Sequence, residues 1–403
     1  MAPPPHGIFY VPPFNRPLHV KAPPGHSFSY GFHVSHRASI SSSSLSPAPE
    51  DLPAIAVGIL SYNRCQEVMR TLDMFQRIDY PRGRMRLIVI DNASSDGTAA
   101  AIREKYGEGV EVMALPENLG AVARNRVMLE APEPYIFCFD EDCTPAHAGI
   151  LREVVSFMEA NPYFGALCFR SINLYTGITE FGDMGKFSRR RLRGSGYEGM
   201  FIVGAGMCFR RDAIRRTRGY DERLFWGGEE YALGLELLYH DIPVALDHRF
   251  ALVHRHAARA VSPARAMEVD TRNNIWCSFK FFPFPLSVMV ASVHAGRRLL
   301  TAVLKRKPGG REAVLRGIRE ALRGLPDVLV HRTPIPVSRI ARHNRWFFQM
   351  FYAARTAPSA GNGEVPSEAA MLEAYHRTLV PDAVADALMP SPGFSLPIEH
   401  PKS

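Results

Sequence analysis

The stretch Tyr135-Ile136-Phe137-Cys138-Phe139-Asp140-Glu141-Asp142 says most about the fold, because an apolar run leads directly into three carboxylates. Such a run is typical of a buried strand. Side chains alternate along extended backbone, so Asp140 and Asp142 are expected on the same side. There they could hold a divalent cation whose other oxygen ligands come from a diphosphate. Taken alone, an acidic pair at a strand end is more often a solvated turn.

Short apolar runs alternate with amphipathic segments on both sides of this stretch. Predicted strands cover residues 55–60, 85–90, 110–114 and 135–139, and predicted helices cover 67–75, 98–106, 119–129 and 150–158. Asn118 is placed to cap the third helix. The alternation predicts crossover connections and a mainly parallel sheet with helices on both faces. Ligands bind at the carboxyl ends of such strands, where Ser61, Asp91 and Asp140 lie.

Composition narrows the class of protein. Of the 403 residues, 46% are hydrophobic, and the six cysteines form no CxxC pair, which favours reduced cysteines in a cytosolic protein. The proline-rich start lacks a basic segment followed by an apolar run, so no secretory signal is expected. Residues 281–304 are apolar but interrupted by prolines and arginines. They could form a packed helix or lie on a membrane surface.

The formal net charge of +8 comes with arginine clusters at residues 189–193 and 210–218 and a basic run at 305–307. Such clusters suit phosphates, anionic lipid head groups or nucleic acid, although most are solvated faces. The basic residues match no nucleic-acid-binding motif, so no specific nucleic acid is expected as a partner.

Polar residues follow the first two predicted strands. Asn63 and Arg64 could meet a base or a phosphate, and Asp91 could accept hydrogen bonds from a ribose or a base edge. There is no GxGxxG segment after the first strand and no GxxxxGK[ST] segment in the chain. Dinucleotide oxidoreductases and P-loop enzymes are therefore disfavoured.

Four segments in order, residues 59–64, 88–98, 118–125 and 139–142, resemble the motifs of family 2 glycosyltransferases of the GT-A fold. The resemblance continues through Gly204-Ala205-Gly206, residues 219–225, Glu229-Glu230 and His254. It covers roughly residues 55–256. Residues 272–283 also resemble a segment of the rhamnosyltransferase-like branch.

The resemblance implies roles for particular residues. Asp140, Asp142 and His254 would hold Mg²⁺ or Mn²⁺, with His256 as the competing histidine. Glu230, next to Glu229, would be the catalytic base, where the family usually has a Glu-Asp pair. The residues implied for binding the nucleotide sugar are Ser61, Asn63, Arg64, Asp91, Asn118, Arg124, Asp140, Gly204 and Ala205.

The predicted fold class is α/β, with a Rossmann-like GT-A domain at residues 53–260. Residues 1–52 would be an extension rich in Pro, Ser and aromatic residues, 261–355 a helical C-terminal extension, and 356–403 a loose tail with a short helix. The resemblance implies an inverting, metal-dependent transfer from a nucleoside-diphosphate sugar to a glycan, lipid-linked or small-molecule acceptor. A cytoplasmic location is expected, and peripheral contact with the plasma membrane and the oligomeric state stay open.

Two other functions stay open. A nucleotidyltransferase can share the sheet and the acidic pair, but it usually begins with a Gly-rich basic loop, which residues 61–64 do not form. The other alternative is a non-catalytic module that binds phosphate, nucleic acid or a membrane through its positive charge.

Overall fold

The computed structural model describes residues 52–180, 190–191, 196–199, 202–255, 261–304, 306, 308–342 and 367–380. Residues 1–51 of the predicted N-terminal extension, His256 and the side chains of the arginine cluster at 189–193 lie outside the described residues.

The first half of the sheet is parallel, as the alternation of strands and helices predicts. Its strands are β1 (Ile55–Ser61), β2 (Met85–Asp91), β3 (Glu111–Ala114) and β4 (Tyr135–Asp140), in the order β3-β2-β1-β4. The helices α1 (Cys65–Phe75) and α2 (Thr98–Tyr106) lie in the crossover connections. The register places Ser61 beside Asp91 on one side and Leu60 beside Asp140 on the other. The predicted polar residues therefore share one edge of the sheet.

The second half of the sheet is mixed. It contains β5 (Cys143–Pro145), β6 (Ala166–Asn173), β7 (Arg190–Arg191), β8 (Gly196–Gly199), β9 (Gly206–Arg210) and β10 (Val244–His254). Strand β9 runs antiparallel between β4 and β6, and β10 runs parallel to β6. The short strand β5 pairs antiparallel with β10 and aligns Cys143 with His254. This pairing brings His254 to the acidic stretch that follows β4.

The prediction of one continuous α-helix at residues 119–129 is wrong. Residues 119–129 contain a 3-10 helix at Gly120–Arg124 and the short helix α3 (Asn125–Met128). Gly120 has a φ of +65°, and a Cβ there would lie 2.2 Å from the carbonyl oxygen of Phe225. A regular helix cannot begin across that close backbone contact. Asn118 does cap the beginning of the 3-10 helix, because its Oδ1 accepts a hydrogen bond from the N–H of Gly120 over 2.9 Å.

Helices dominate the rest of the described chain. They are α4 (Ile150–Ala160), α5 (Arg211–Ile214), α6 (Glu229–Tyr239), α7 (Pro263–Phe281), α8 (Leu286–Leu304), α9 (Gly310–Val330), α10 (Val337–Arg342) and α11 (Glu368–Leu379). The predicted helical C-terminal region is thus confirmed.

Two apolar clusters join the C-terminal helices to the sheet and its helices. Leu235 of α6 packs in one cluster with Phe281 and Phe282. Tyr375 and Leu379 of α11 are buried in the main core of the sheet. Among the described residues, no helix has the length and apolar character needed to cross a membrane.

Candidate active site

His254 lies between two carboxylates at the end of β10. Its Nε2 is 3.3 Å from Oδ1 of Asp142, and its Nδ1 is 2.6 Å from Oε2 of Glu180. Burial disfavours the charged forms of His254 and Asp142, but their hydrogen bonds and the opposite charges beside them favour these forms more strongly. The two carboxylates raise the pKa of His254 to about 10. Hydrogen bonding to His254, together with Arg64, holds the pKa of Asp142 well below its usual range.

The two aspartates of the opening stretch have different partners. Strand β4 ends at Asp140, so Glu141 and Asp142 lie in a turn and alternation along a strand does not extend to them. Asp140 forms a salt bridge with Arg124. Nη1 of Arg64 lies 2.7 Å from Oε1 of Glu141 and 3.0 Å from Oδ2 of Asp142. Two arginines therefore offset part of the negative charge of Asp140, Glu141 and Asp142.

Three of the residues implied for donor binding have buried polar atoms without a hydrogen-bond partner among the described residues. They are Oγ of Ser61, Nη2 of Arg64 and Nε of Arg124. Burying a hydrogen-bonding group without a partner costs free energy. These atoms are candidates for contacts with a bound ligand.

Hydrogen bonds connect the loop after β1 to the loop after β2. Oδ1 of Asn63 accepts from the N–H of Ser95 over 2.7 Å, and Asp91 accepts from the N–H of Ser94 over 3.1 Å. The side-chain amide of Asn92 donates to Oδ1 of Asn118 over 2.9 Å. Asn63 and Asn118 thus shape the edge of the site, and Asp91 is buried at the end of β2.

The predicted base lies at the start of α6. Oε1 of Glu230 accepts from the backbone N–H of Gly204 over 2.5 Å. Burial and the neighbouring Glu229 raise the pKa of Glu230 to about 7. Asp140 raises and Arg124 lowers this pKa, so Glu230 lies within electrostatic reach of their salt bridge. The carbonyl of Ala205 accepts from the N–H of Asp140 over 3.5 Å, which links the Gly204-Ala205 turn to β4.

Two residues of the site were not predicted from the sequence. Glu180 orients His254 and is itself held by Ser171 and Asn173 over 2.8 and 2.9 Å. No sequence pattern marks it. Arg255 is 2% exposed and donates to the carbonyl of Glu141 over 3.3 Å. Its only signal in the sequence is an ionisable residue directly after an apolar strand.

Ligand atoms of Asp142, Cys143 and His254 lie within 4.8 Å of one another. Burial raises the pKa of the Cys143 thiol, which keeps it protonated and a poor ligand. The carboxylate of Asp142 and the imidazole of His254 fit a divalent cation whose remaining ligands are oxygens. Binding would require His254 to lose its proton.

The mixed sheet with its flanking helices is a GT-A-like fold. Residues 56–218, less than half of the chain, match the family model "Glycosyl transferase family 2". The match includes the residues from Ser61 to Gly204 and ends before Glu230 and His254.

Two curated relatives are similar in sequence. The chain is 27% identical over 187 residues to "Probable glycosyltransferase YdaM" of Bacillus subtilis, an alignment that covers 43% of this chain and 44% of that protein. It is 23% identical over 219 residues to "Glycosyltransferase AglE" of Haloferax volcanii, covering 53% of this chain and 68% of that protein. The chain thus spans less than half of the length of YdaM.

Solved structures support the fold. The crystal structure of S. aureus TarS has a TM-score of 0.50 at 15% identity, covering 73% of this chain and 54% of TarS. TarS 1–349 in complex with UDP-GlcNAc has a TM-score of 0.50 at 14% identity, covering 73% of this chain and 89% of that one. At these identities the likeness concerns the fold alone.

Proposed function

We propose that this chain transfers a sugar from a nucleoside diphosphate to an acceptor hydroxyl with inversion at the anomeric carbon. The main support is the set of unpartnered buried atoms of Ser61, Arg64 and Arg124 at one edge of the sheet. Guanidinium N–H groups pair well with phosphate oxygens. The two arginines would bind the donor diphosphate and stabilise the negative charge that develops on it.

Glu230 would act as the base. Its raised pKa, about 7, suits a group that takes a proton near neutral pH. As Glu230 removes the proton of the acceptor hydroxyl, the oxygen bonds to the anomeric carbon and the bond to the diphosphate breaks. The electron pair of that bond leaves with the nucleoside diphosphate. A single displacement from the opposite face inverts the carbon.

Asp142 and His254 would hold Mg²⁺ or Mn²⁺, which would offset charge on the departing diphosphate. Glu180 would fix the ring of His254 from behind, as carboxylates do for metal-bound histidines. Asp140 stays a predicted ligand, but it would have to exchange its salt bridge with Arg124 for the cation.

The sugar, its nucleotide and the acceptor remain predictions. The relatives are named as glycosyltransferases, and one solved TarS structure holds UDP-GlcNAc. A hexosyl or deoxyhexosyl donor, as in the rhamnosyltransferase-like branch, is the working hypothesis for this chain.

A thermal-shift titration with UDP, GDP and dTDP in the presence of Mn²⁺ tests the proposed binding. We expect at least one nucleotide to raise the Tm of the parent protein. Arg64→Gln and Arg124→Gln should reduce that shift, whereas the exposed neighbour Arg126→Gln should keep it. An equal shift in all variants would remove both arginines from the diphosphate site.

A further inference from the structure

Helix α8 carries an apolar face that points away from the protein. Only four of its 19 residues are buried, namely Ser287, Val290, Ala291 and Ala302. The opposite face carries exposed apolar side chains: Val288 (46% exposed), Met289 (48%), Leu300 (56%), Val303 (48%) and Leu304 (72%). A surface helix normally directs its polar side outward. An outward apolar face indicates a binding surface.

Helix α9 extends this surface. Its exposed leucines Leu315, Leu322 and Leu329 recur every seven residues and share one side of the helix. Ile318, on the same side, packs in the clusters that include Ala295 and Leu299 of α8. The leucines therefore flank α8. Of 17 exposed large hydrophobic side chains in the described residues, 11 lie between Phe284 and Val337, so the apolar surface is local.

The same region holds the positive charge of the chain. Residues 286–342 contain 12 Lys and Arg against three Asp and Glu, a formal charge of +9. The whole chain has +8, so all other residues together have −1. The charge is therefore concentrated where the apolar side chains are exposed.

Several of these basic residues are available to a partner. Arg297, Arg311, Arg319 and Arg323 are exposed and form no salt bridge within the described part of the chain. On the helix wheels, Arg297 borders the apolar face of α8, and Arg311 and Arg319 border the leucine stripe of α9. Arginine beside exposed apolar residues is the pattern of helices that lie on anionic membranes.

We propose that α8 and α9 dock this protein on the surface of an anionic lipid bilayer, with α8 lying in the plane of the interface. A symmetric contact with a second copy through this face would bring two regions of +9 together, which opposes association. An anionic bilayer complements both the charge and the apolar side chains. The proposal does not depend on the transferase activity.

Co-sedimentation of the full chain with vesicles tests the docking. We expect binding to vesicles of phosphatidylcholine with about a third phosphatidylglycerol, and much weaker binding to phosphatidylcholine alone. High salt should reduce the binding to the anionic vesicles. Equal binding to both vesicle types, or no binding to either, would overturn the proposal.

Variants locate the surface. Leu300→Ser with Leu304→Ser should weaken vesicle binding at least about tenfold. Arg297→Gln with Arg319→Gln should weaken it about thirtyfold at low salt. The control variants, Ile178→Ser with Tyr163→Ser and the single Arg103→Gln, change exposed residues elsewhere and should bind like the parent. All these side chains are largely exposed, so the Tm should change little.

Sedimentation equilibrium without lipid tests the competing explanation, in which the apolar face of α8 binds a second copy of the chain. We expect a monomer, or an oligomer that the Leu300→Ser, Leu304→Ser double variant leaves intact. An oligomer that this double variant dissociates would instead make the apolar face an interface between copies, and the lipid proposal would be wrong.

Discussion

The carboxylate of Glu230 accepts a hydrogen bond from the backbone N–H of Gly204. A glycine in the turn before β9 therefore fixes the position of the proposed base. A Cβ at position 204 would lie 2.5 Å from Oε1 of Glu230. The carboxylate of Glu230 can rotate away from this added Cβ. The backbone around Gly204 can then keep its conformation.

Gly204→Ala should therefore displace the base while keeping the fold. A displacement of the order of 1 Å costs about a hundredfold in rate. We expect kcat to fall by about that factor with little change in Tm. Gly83→Ala is the control, because a Cβ there has nothing within 4 Å. Parent-like kcat in Gly204→Ala would show that this contact does not position the catalytic group.

The pH dependence of transfer should follow Glu230. Only the carboxylate form can accept a proton, and its pKa is about 7. The rate of transfer should rise with pH and level off above about pH 7. Glu230→Gln should lose transfer at every pH while it keeps nucleotide binding. A rate independent of pH between 5.5 and 8 would argue against Glu230 as the base.

The same residue gives a stability prediction of definite sign. The folded pKa of Glu230 is raised above the ordinary 4.5, so between these values the folded state binds more protons than the unfolded chain. The contribution of Glu230 to stability therefore falls as pH rises from 4.5 to 7. Glu230→Gln should be at least as stable as the parent at pH 8, by urea titration. A lower stability of the variant at pH 8 would contradict the burial of this charge.

Glu180 should tune the proposed cation site through His254. Removing a carboxylate that orients a metal-bound histidine typically costs ten- to a hundredfold in metal affinity. We expect Glu180→Gln to weaken Mn²⁺ binding, measured by calorimetry in the presence of nucleotide, by about that factor. Transfer should recover at saturating Mn²⁺. Glu108→Gln, at an exposed position of the short 3-10 helix Gly107–Gly109, is the control. Identical Mn²⁺ affinity in both variants would exclude this role.

Arg255 should stabilise the turn that carries Glu141. Its Nε lies 3.1 Å from Oε2 of Glu67, and the hydroxyl of Thr71 donates to the same Glu141 carbonyl over 2.5 Å. Removing one partner of a buried ion pair costs about 3 kcal/mol. Arg255→Met should lose about that much in urea unfolding. Arg70→Met, which removes a more exposed partner of Glu67, should lose about 1 kcal/mol or less. Equal losses would mean that burial of Arg255 contributes nothing.

The first half of the fold could be predicted because its signals are local. Each apolar run that predicts a strand lies close in sequence to the amphipathic segment that predicts the next helix. The helix at Thr98–Tyr106, for example, has the predicted bounds. The segment after Asn118 could not be predicted, since the backbone of Phe225 shapes it from a distance in sequence.

The residues of the candidate site could be predicted only where sequence motifs mark them. Asp142 and His254 were expected together, and they meet because β5 pairs with β10. Glu180 and Arg255 act through partners 74 and 114 residues away, so no local pattern could reveal them.

Product analysis tests the central claim most directly. The parent protein is incubated with a panel of nucleotide sugars, with Mn²⁺ or with EDTA, and the released phosphates are identified. We predict release of a nucleoside diphosphate that requires the metal and is lost in Asp142→Ala and Glu230→Gln. Release of pyrophosphate, or undiminished release of the nucleoside diphosphate by both variants, would contradict the account.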